Sequence, residues 1–455
     1  MPGQIAGMKT RRQFLRTAAA VTVGFSGLQR LSGSAVENQV QSDAIYGPLI
    51  PDPDGILDLP HGFSYQVLSR TGDLMDDGWK VSGKPDGMAA FDAPTGQTVI
   101  IRNHELALSM TKEGGLFDDL TRLPEGFDPD LCYDVGAEGE SPYFGGTSTL
   151  VYDCHRQRLD GQFQSLFGTD RNCAGGPTPW GTWISCEEPD PKEMVTSRGQ
   201  NHGYCFEVWP TLTPQLQKPV LRSALGRFRH EAIAVDPETQ IVYLTEDLPD
   251  GLIYRFVPDL PGNLEQGKFE TLMINDFAGQ DTTMGVPVGR RFKAQWKEME
   301  EIDSPKNDLR VQGQGKGGSI FARGEGMWYG HDAIYWVCTT GGENQGGQIW
   351  RYFPKTSEVE LYLEPNDHAL LQNGDNMTIA RWGDLIVCED AKKESNMLRG
   401  VTPEGRFYTL AANSISNSEF AGACFSPNHD TLFVNIQSPG MTLAITGDWA
   451  RNRSW

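Results

Sequence analysis

The chain has 455 residues and a formal net charge of −21, from 60 Asp and Glu residues against 39 Lys and Arg residues. Hydrophobic residues make up 38% and aromatic residues 10% of the sequence, far more than a disordered acidic chain contains. The acidic balance argues against DNA or RNA as the main partner, because phosphate backbones attract Lys and Arg. It leaves two explanations open, a solvated acidic surface or carboxylates gathered to bind metal ions.

Residues 1–35 contain five basic residues and no acidic residue. The pair Arg11 and Arg12, followed by Phe14, Leu15 and an apolar stretch, resembles a twin-arginine export signal. A basic tail that happens to contain two arginines is the alternative. The interpretation predicts a signal peptide over 1–35, the twin-arginine translocase as a partner during export, and a periplasmic or secreted protein. No other stretch approaches the ~20 apolar residues of a membrane span, so we expect none.

Eight cysteines follow, without a C-x-x-C pair. Several lie in strand-like runs, where a buried thiol without a chemical role is the usual interpretation. The twin-arginine route exports folded proteins, often because a cofactor is inserted in the cytoplasm, and folding there weakens the expectation of disulfides. The export signal therefore makes a metal site more plausible than a disulfide framework.

Residues 36–455 are dominated by short β-branched and aromatic runs separated by turn residues, which is typical of an all-β fold. One unit recurs: a small residue beside an acid, a strand, a turn, and a second strand that usually ends in acid. Six copies begin near residues 87, 176, 232, 326, 376 and 422. The shorter spacings approach the ~40–50 residues of a propeller blade. The sequence predicts a single-domain, six-bladed β-propeller with loop insertions between blades; a seven-bladed propeller or a pair of β-sandwiches are the alternatives.

The recurring acids occupy two equivalent places in these units. In a propeller the start of the first strand and the end of the second lie on the same face, so the acids should converge at one mouth of the channel. They are Asp86, Glu231, Glu325 and Asp375 at the starts, and Glu105, Glu187, Glu188, Glu246, Asp247, Glu389 and Asp390 at the ends.

So many carboxylates repel one another unless cations separate them, and Ca²⁺ takes several oxygen ligands. Cys186 lies at the end of one such strand and offers a softer thiolate, suited to iron or zinc. Taken alone, each acid is more often a solvated turn residue and Cys186 a buried thiol. The repetition favours a mixed cluster of a transition metal with Ca²⁺.

The same segments resemble the PhoX-type alkaline phosphatases. The resemblance extends from about residue 46 to 448 and is densest at 102–105, 179–188, 229–232, 243–247 and 388–390. It implies a six-bladed propeller with an iron–calcium cluster (Fe³⁺ and Ca²⁺) that hydrolyses phosphomonoesters outside the cytoplasm. By position, the resemblance implies Cys186, Glu105, Glu246 and Glu389 as iron ligands. It implies Glu188, Glu231, Asp247, Glu325 and Asp390 as calcium or shared ligands.

The family also holds phosphate with a Lys and an Arg. Arg102, Arg229 and Arg323 are candidates for this role because they adjoin motif acids. The implied reaction is metal-assisted phosphoryl transfer from a small phosphoester, in which the carboxylates hold the ions. Two other classes remain open: a lactonase-like propeller with one axial Ca²⁺, and a non-catalytic binding propeller, with or without bound metal, on which the acids can form a solvated rim.

Overall fold

Short antiparallel strands make up most of the regular structure, as the β-branched and aromatic runs predict. The structure is a computed structural model that describes residues 45–117, 121–138, 140–195 and 199–449. The predicted signal peptide, residues 1–35, lies outside the described residues. The first seven strands are β1 (Leu49–Ile50), β2 (Leu57–Pro60), β3 (Phe63–Arg70), β4 (Pro85–Asp92), β5 (Thr98–His104), β6 (Gly145–Asp153) and β7 (Arg158–Thr169).

The middle of the chain adds eight strands and two short α-helices. The strands are β8 (Asn172–Pro177), β9 (Trp183–Glu187), β10 (Cys205–Val208), β11 (His230–Val235), β12 (Val242–Glu246), β13 (Ile253–Pro258), β14 (Gly267–Ile274) and β15 (Arg291–Glu298). The helices are α1 (Pro191–Val195) and α2 (Leu309–Gly315). Short 3₁₀ helices lie at Leu108–Glu113, Pro129–Leu131, Ser223–Leu225 and Asn275–Phe277.

The last third of the chain consists of eleven strands. They are β16 (Gly324–Gly330), β17 (Ala333–Cys338), β18 (Gln348–Phe353), β19 (Glu358–Leu363), β20 (Gly374–Ile379), β21 (Leu385–Glu389), β22 (Met397–Val401), β23 (Phe407–Asn413), β24 (Phe420–Phe425), β25 (Thr431–Ile436) and β26 (Met441–Gly447).

Strands that follow one another in sequence pair with each other, so the chain builds up-and-down ladders. Two four-stranded sheets are β4-β5-β6-β7 and β24-β25-β26-β3, and β8-β9-β10 form a three-stranded sheet. The ladder β20–β23 is extended by β2 and β1 to six strands. In the last ladder the early strand β3 pairs with β26, which joins the first and last parts of the described chain as in closed propellers.

We call β4, β8, β11, β16, β20 and β24 the inner strands, because each begins its ladder and they contact one another in ring order. β4 contacts β8, β8 contacts β11, and the series continues through β16, β20 and β24 back to β4. The arrangement is therefore all-β and propeller-like, as the sequence predicts.

The structure differs from six separate sheets in one place. The ladders β11–β14 and β16–β19 belong to one nine-stranded sheet, because β15 pairs with β14 on one side and with β19 on the other. The sequence predicts residues 280–317 as a loop insertion, whereas this segment contributes β15 and α2. The insertion thus connects two ladders by backbone hydrogen bonds.

Every inner strand contains a β-bulge near its start. The register shifts between Pro85 and Met88 in β4 and between His230 and Ile233 in β11, and the other four inner strands have the same irregularity. A bulge places one extra residue in the strand and redirects a side chain. The repeated bulges therefore all lie at the same end of the ring of inner strands.

The hydrophobic core lies between neighbouring ladders. Large side chains such as Trp183, Trp336 and Trp350 are fully buried there, and Trp336 stacks on Trp350. No helix in the described part of the chain is long and apolar enough to cross a membrane.

Candidate metal centre

A strongly polar cavity of about 260 Å³ lies at the end of the inner strands where the bulges occur. Most of its wall is charged, with Met110 as the apolar exception beside one thiol and one amide. The lining residues are Lys84, Asp86, Glu105, Met110, Arg171, Cys173, Glu188, Arg229, Glu231, Arg323, Glu325, Asp375, Asp390, Glu419 and Gln437. We call this cavity the channel pocket.

Nearly all of these side chains come from three equivalent positions of the ladders. The residue directly before an inner strand supplies Lys84, Arg171, Arg229, Arg323 and Glu419. The second residue of an inner strand supplies Asp86, Cys173, Glu231, Glu325 and Asp375. The residue directly after the second strand of a ladder supplies Glu105, Glu188, Asp390 and Gln437.

Six of the nine sequence-predicted metal ligands lie in or beside the channel pocket. Asp247 is buried against it and forms ion pairs with Arg229 (3.2 Å) and Arg323 (2.8 Å), which both line the cavity. The five that line it directly are Glu105, Glu188, Glu231, Glu325 and Asp390. The structure therefore brings together acids from five ladders that are up to 285 residues apart, between Glu105 and Asp390.

The structure does not bring Glu246 and Glu389 to the pocket. Glu246 accepts hydrogen bonds from the Tyr254 hydroxyl (2.8 Å) and the Leu252 amide (3.2 Å). Glu389 is fully buried and pairs with Lys393 (2.5 Å) and Arg399 (3.0 Å). Successive side chains of a strand point to opposite sides, so when the second acid of a strand-end pair faces the channel the first faces away.

Cys186 also lies away from the pocket. It precedes the pair Glu187 and Glu188 on β9, is fully buried in the core, and its sulfur is 3.6 Å from that of Cys205 on the next strand. The thiol at the channel pocket is Cys173, the second residue of β8. Cys173 occupies the position that Asp86, Glu231, Glu325 and Asp375 occupy in other inner strands, and that equivalence was readable in the sequence.

Three overlapping groups of side chains could each hold a metal ion, because the donor atoms of each group lie within 4.8 Å of one another. The first joins the thiol of Cys173 with Glu188 and Glu231. The other two consist of carboxylates alone, Glu231 with Glu325 and Asp375, and Asp375 with Asp390 and Glu419. A thiolate beside carboxylates suits a transition metal, whereas groups of carboxylates alone suit Ca²⁺. The sequence predicts Asp375 among the converging acids but does not assign it as a metal ligand, and it does not predict Glu419 at the site.

Three arginines link the acids of neighbouring ladders. Arg171 pairs with Glu105 and with Glu188 (2.9 Å), and Arg229 pairs with Glu188 and with Asp247 (3.2 Å). The sequence-predicted Arg323 completes the series from Asp247 to Glu325. The guanidinium groups thus compensate part of the negative charge and line the same cavity.

The third predicted arginine, Arg102, lies elsewhere. It is 1% exposed inside the ladder, where it donates hydrogen bonds to Ser148 (2.9 Å), Ser69 (3.0 Å) and Thr442 (2.6 Å). Arg171 and Lys84 are the basic pocket residues that the sequence reasoning missed. They precede inner strands as Arg229 and Arg323 do, and this shared position is the signal that could have found them.

Burial and mutual repulsion weaken the acidity of the pocket carboxyl groups. Burial raises the pKa of Glu231 well above its ordinary value, and the charges of Glu325 and Glu188 raise it further. Burial likewise raises the pKa of Asp86, Glu325, Asp375 and Glu419. Without cations, the pocket holds more acid groups than its arginines and Lys84 neutralise.

These shifts predict that the metal-free protein loses stability as the pH rises from neutral towards the raised pKa values of the pocket acids. An acid whose pKa is raised by folding binds more protons in the folded than in the unfolded state, so the free energy of unfolding falls as the pH rises through the folded pKa. Among the buried histidines, His202 acts in the same direction in metal-free and metal-loaded protein alike, because the charges of Glu187 and Asp134 outweigh its burial and raise its pKa to about 10. Burial lowers the pKa of His104 to about 3 and that of His230 to about 4, so their contribution changes mainly below the unfolded value of about 6.5.

The measurement is the unfolding temperature of chelator-treated protein across this pH range, with metal-loaded protein as the control. Bound cations keep the carboxylates ionised, so the loaded protein should show a much smaller decrease. An unfolding temperature of the metal-free protein that rises as the pH is raised above neutral would contradict the prediction.

A family model described as alkaline phosphatase PhoX matches residues 44–138 and 150–440. No curated protein sequence gives a significant match. Among solved structures, Pseudomonas fluorescens PhoX in complex with vanadate, a transition state analogue, is 18% identical with a TM-score of 0.65 over 86% of this chain and 96% of that chain. This likeness shows a shared fold.

Two further solved structures are more distant. A gluconolactonase from Xanthomonas campestris is 9% identical with a TM-score of 0.38, over 89% of this chain and 98% of that chain. A protein of unknown function from Bacteroides thetaiotaomicron is 10% identical with a TM-score of 0.43, over 85% and 76% of the two chains. Since the PhoX family model covers most of the sequence, the chain belongs to the PhoX family of alkaline phosphatases.

Proposed function

We propose that the protein is an exported phosphatase that hydrolyses phosphomonoesters at an iron–calcium cluster in the channel of a six-bladed propeller. The observation that carries the proposal is the channel pocket, in which one thiol, a set of carboxylates and three arginines converge in a chain of the PhoX family. The closed ring of six inner strands supports six blades, with β15 joining two of them.

The donor set fits a mixed cluster. Cys173 with Glu188 and Glu231 would hold iron, because a thiolate is a soft ligand and the two carboxylates accompany it within 4.8 Å. The all-carboxylate groups around Asp375 would hold Ca²⁺. When bound, such ions supply Lewis-acid stabilisation of the phosphoryl oxygens.

The chain's own basic groups bind and orient the substrate. Arg171, Arg229 and Arg323 present planar guanidinium groups to the cavity, which match the geometry of phosphate oxygens. Lys84 adds a point charge at the same rim and donates a hydrogen bond to Ser438 (3.1 Å). The reaction consumes water and releases an alcohol and inorganic phosphate, so these groups must also let phosphate leave. Because the lining is almost entirely polar, we expect the organic part of the ester to remain outside the pocket.

Metal analysis combined with hydrolysis of p-nitrophenyl phosphate tests this function. We expect iron and calcium in the protein as isolated, and loss of hydrolysis when a chelator removes them. Calcium alone with hydrolysis of lactones would favour a lactonase, and no stoichiometric metal would favour a binding propeller. Metal-loaded protein that hydrolyses no phosphoester would overturn the phosphatase proposal.

Export is proposed from the sequence of residues 1–35, with the periplasm or the medium as the destination. Replacing both Arg11 and Arg12 by lysine should retain the protein in the cytoplasm of its host, measured by cell fractionation. A protein that reaches the periplasm unchanged after this substitution would contradict twin-arginine export.

Arg171 and Arg102 give opposite predictions for substrate binding. Arg171→Lys keeps the charge but loses the planar fork, so we expect KM for p-nitrophenyl phosphate to rise roughly tenfold, as the loss of one charge-assisted hydrogen bond implies. Arg102→Gln removes buried hydrogen bonds far from the cavity, so we expect a stability loss of about 1–3 kcal/mol with KM unchanged. Steady-state kinetics and thermal unfolding separate the two, and a raised KM in Arg102→Gln alone would contradict this assignment.

A further inference from the structure

A second group of metal-type ligands lies in the core, behind the channel pocket. Cys186 on β9 and Cys205 on β10 are directly opposite in the strand register, and their sulfur atoms are 3.6 Å apart. His230, the first residue of β11, brings Nδ1 to 3.4 Å from the Cys205 sulfur. The three donor atoms lie within 4.8 Å of one another, and all three side chains are fully buried.

The imidazole is held in the orientation that a metal ligand needs. Nε2 of His230 donates a hydrogen bond to the carbonyl oxygen of Gly226 at 3.1 Å, which leaves Nδ1 as the acceptor atom that faces the Cys205 sulfur at 3.4 Å. A backbone carbonyl that accepts the remote ring N–H is the usual support of a metal-bound histidine. Phe228 packs against the same ring, with the centroids 3.6 Å apart, and restricts its rotation.

The spacing of the donors matches a coordination sphere. Metal–sulfur bonds of about 2.3 Å and metal–nitrogen bonds of about 2.0–2.1 Å in a tetrahedral site would place sulfur roughly 3.8 Å from sulfur and roughly 3.6 Å from nitrogen. The observed 3.6 Å and 3.4 Å agree with these values to about 0.2 Å, and the third pair, the Cys186 sulfur and His230 Nδ1, lies within 4.8 Å. A disulfide would instead need the sulfurs at about 2.05 Å.

The surroundings favour a soft ion over Ca²⁺. The cluster lies among apolar side chains, including Ile184, Leu225 and Tyr254, and its ligands are sulfur and imidazole nitrogen. Thiolates select Zn²⁺ and Cu⁺ over hard cations. The burial also means that the ion would enter while the chain folds, because the ligands are sealed once the ladders pack.

We propose that Cys186, Cys205 and His230 form a second metal site, separate from the channel pocket, that binds one thiophilic ion, Zn²⁺ or Cu⁺. Binding displaces the two thiol protons and forms two metal–sulfur bonds and one metal–nitrogen bond. The site ties β9, β10 and β11 together through their side chains, across the boundary between two ladders. It is independent of the proposed phosphatase chemistry.

The test uses protein folded in cells grown with added zinc or, in a second culture, copper, and then dialysed against a chelator that removes calcium. We expect about one zinc or copper ion per chain in the wild type, with the two cultures distinguishing the ions. The amount of that ion bound per chain should be at least roughly tenfold lower in Cys205→Ser than in the wild type. Cys424→Ser, a buried thiol in β24, is the matched control and should retain it. Equal retention by wild type and Cys205→Ser would overturn the proposal.

X-ray absorption at the zinc or copper edge keeps the proposal testable if Cys205→Ser fails to fold. We expect two sulfur ligands and one imidazole, both in the wild type and in a Cys173→Ser variant that lacks the channel thiol. A coordination shell without sulfur would overturn the proposal. A disulfide between Cys186 and Cys205, found by mass spectrometry as a loss of two daltons from the peptides that contain them, would also overturn it. Unchanged p-nitrophenyl phosphate hydrolysis in Cys205→Ser would show that loss of the ion from this second site does not affect the phosphatase activity.

Discussion

Cys173→Ser should remove the iron from the channel pocket and lower kcat/KM for p-nitrophenyl phosphate by at least roughly 100-fold. Cys173 lies in the bulge of β8 and lines the cavity, within 4.8 Å of donor atoms of Glu188 and Glu231. A serine hydroxyl has nearly the same size, but it is a neutral, hard donor that replaces a thiolate poorly at iron. The calcium that the carboxylates hold should be retained in part.

Cys424→Ser is the matched control, because it makes the same chemical change at another buried thiol of an inner strand. We expect it to keep the metal content and the activity, with at most a loss of stability. Metal analysis and steady-state kinetics of the two variants decide the matter. Full iron content in Cys173→Ser would refute the assignment of the channel thiol.

The fold could be predicted from the sequence because its signals are local and repeated. Short alternating runs, turn residues and six similar units predict antiparallel ladders around an axis, and the inner strands do form a closed ring. The pairing of β15 with β19 could not be predicted in this way. Residues 280–317 are charged and carry no repeat signal, so their edge-to-edge pairing depends on where two finished ladders happen to leave free strand edges.

The acidic site could be predicted only to the level of strand ends. Pairs such as Glu246–Asp247 and Glu389–Asp390 were assigned as metal ligands together, although strand alternation sends the two members to opposite sides. Asp390 lines the pocket, whereas Glu389 accepts backbone hydrogen bonds from Gln372 (3.0 Å) and Met397 (2.9 Å). The two-residue period of a strand predicts that only one acid of each pair faces the channel.

Other site residues could be found only by comparing equivalent strand positions across the ladders. Cys186 stands beside two glutamates in sequence, which made it the more obvious thiol, but β9 directs it into the core. Cys173 is not followed by a pair of acids as Cys186 is, so only its equivalence to Glu231 across the ladders marks it. Glu419 lies one residue before β24, the position that Arg171, Arg229 and Arg323 occupy before other inner strands.

The same substitution at two buried glutamates should have opposite effects on stability. Glu231→Gln should raise the free energy of unfolding of the metal-free protein by on the order of 1–2 kcal/mol. Burial and the charges of Glu325 and Glu188 disfavour its carboxylate, and an amide of equal size removes that repulsion. Glu389→Gln should lower the free energy of unfolding by about 3–5 kcal/mol, because Lys393 and Arg399 lose a buried counter-charge.

For metal binding, the expected order of the two variants is the opposite of their order in stability. Glu231 belongs to two of the three donor groups, so Glu231→Gln should lose both bound metal and phosphatase activity, whereas Glu389→Gln should keep both in the fraction that remains folded. Thermal unfolding with and without chelator, combined with metal analysis, measures both effects on one set of samples. A metal-free Glu231→Gln protein less stable than the wild type would mean that the pocket carboxylates are satisfied without cations. Loss of metal from folded Glu389→Gln would instead mean that Glu389 is a metal ligand, as the family resemblance implies.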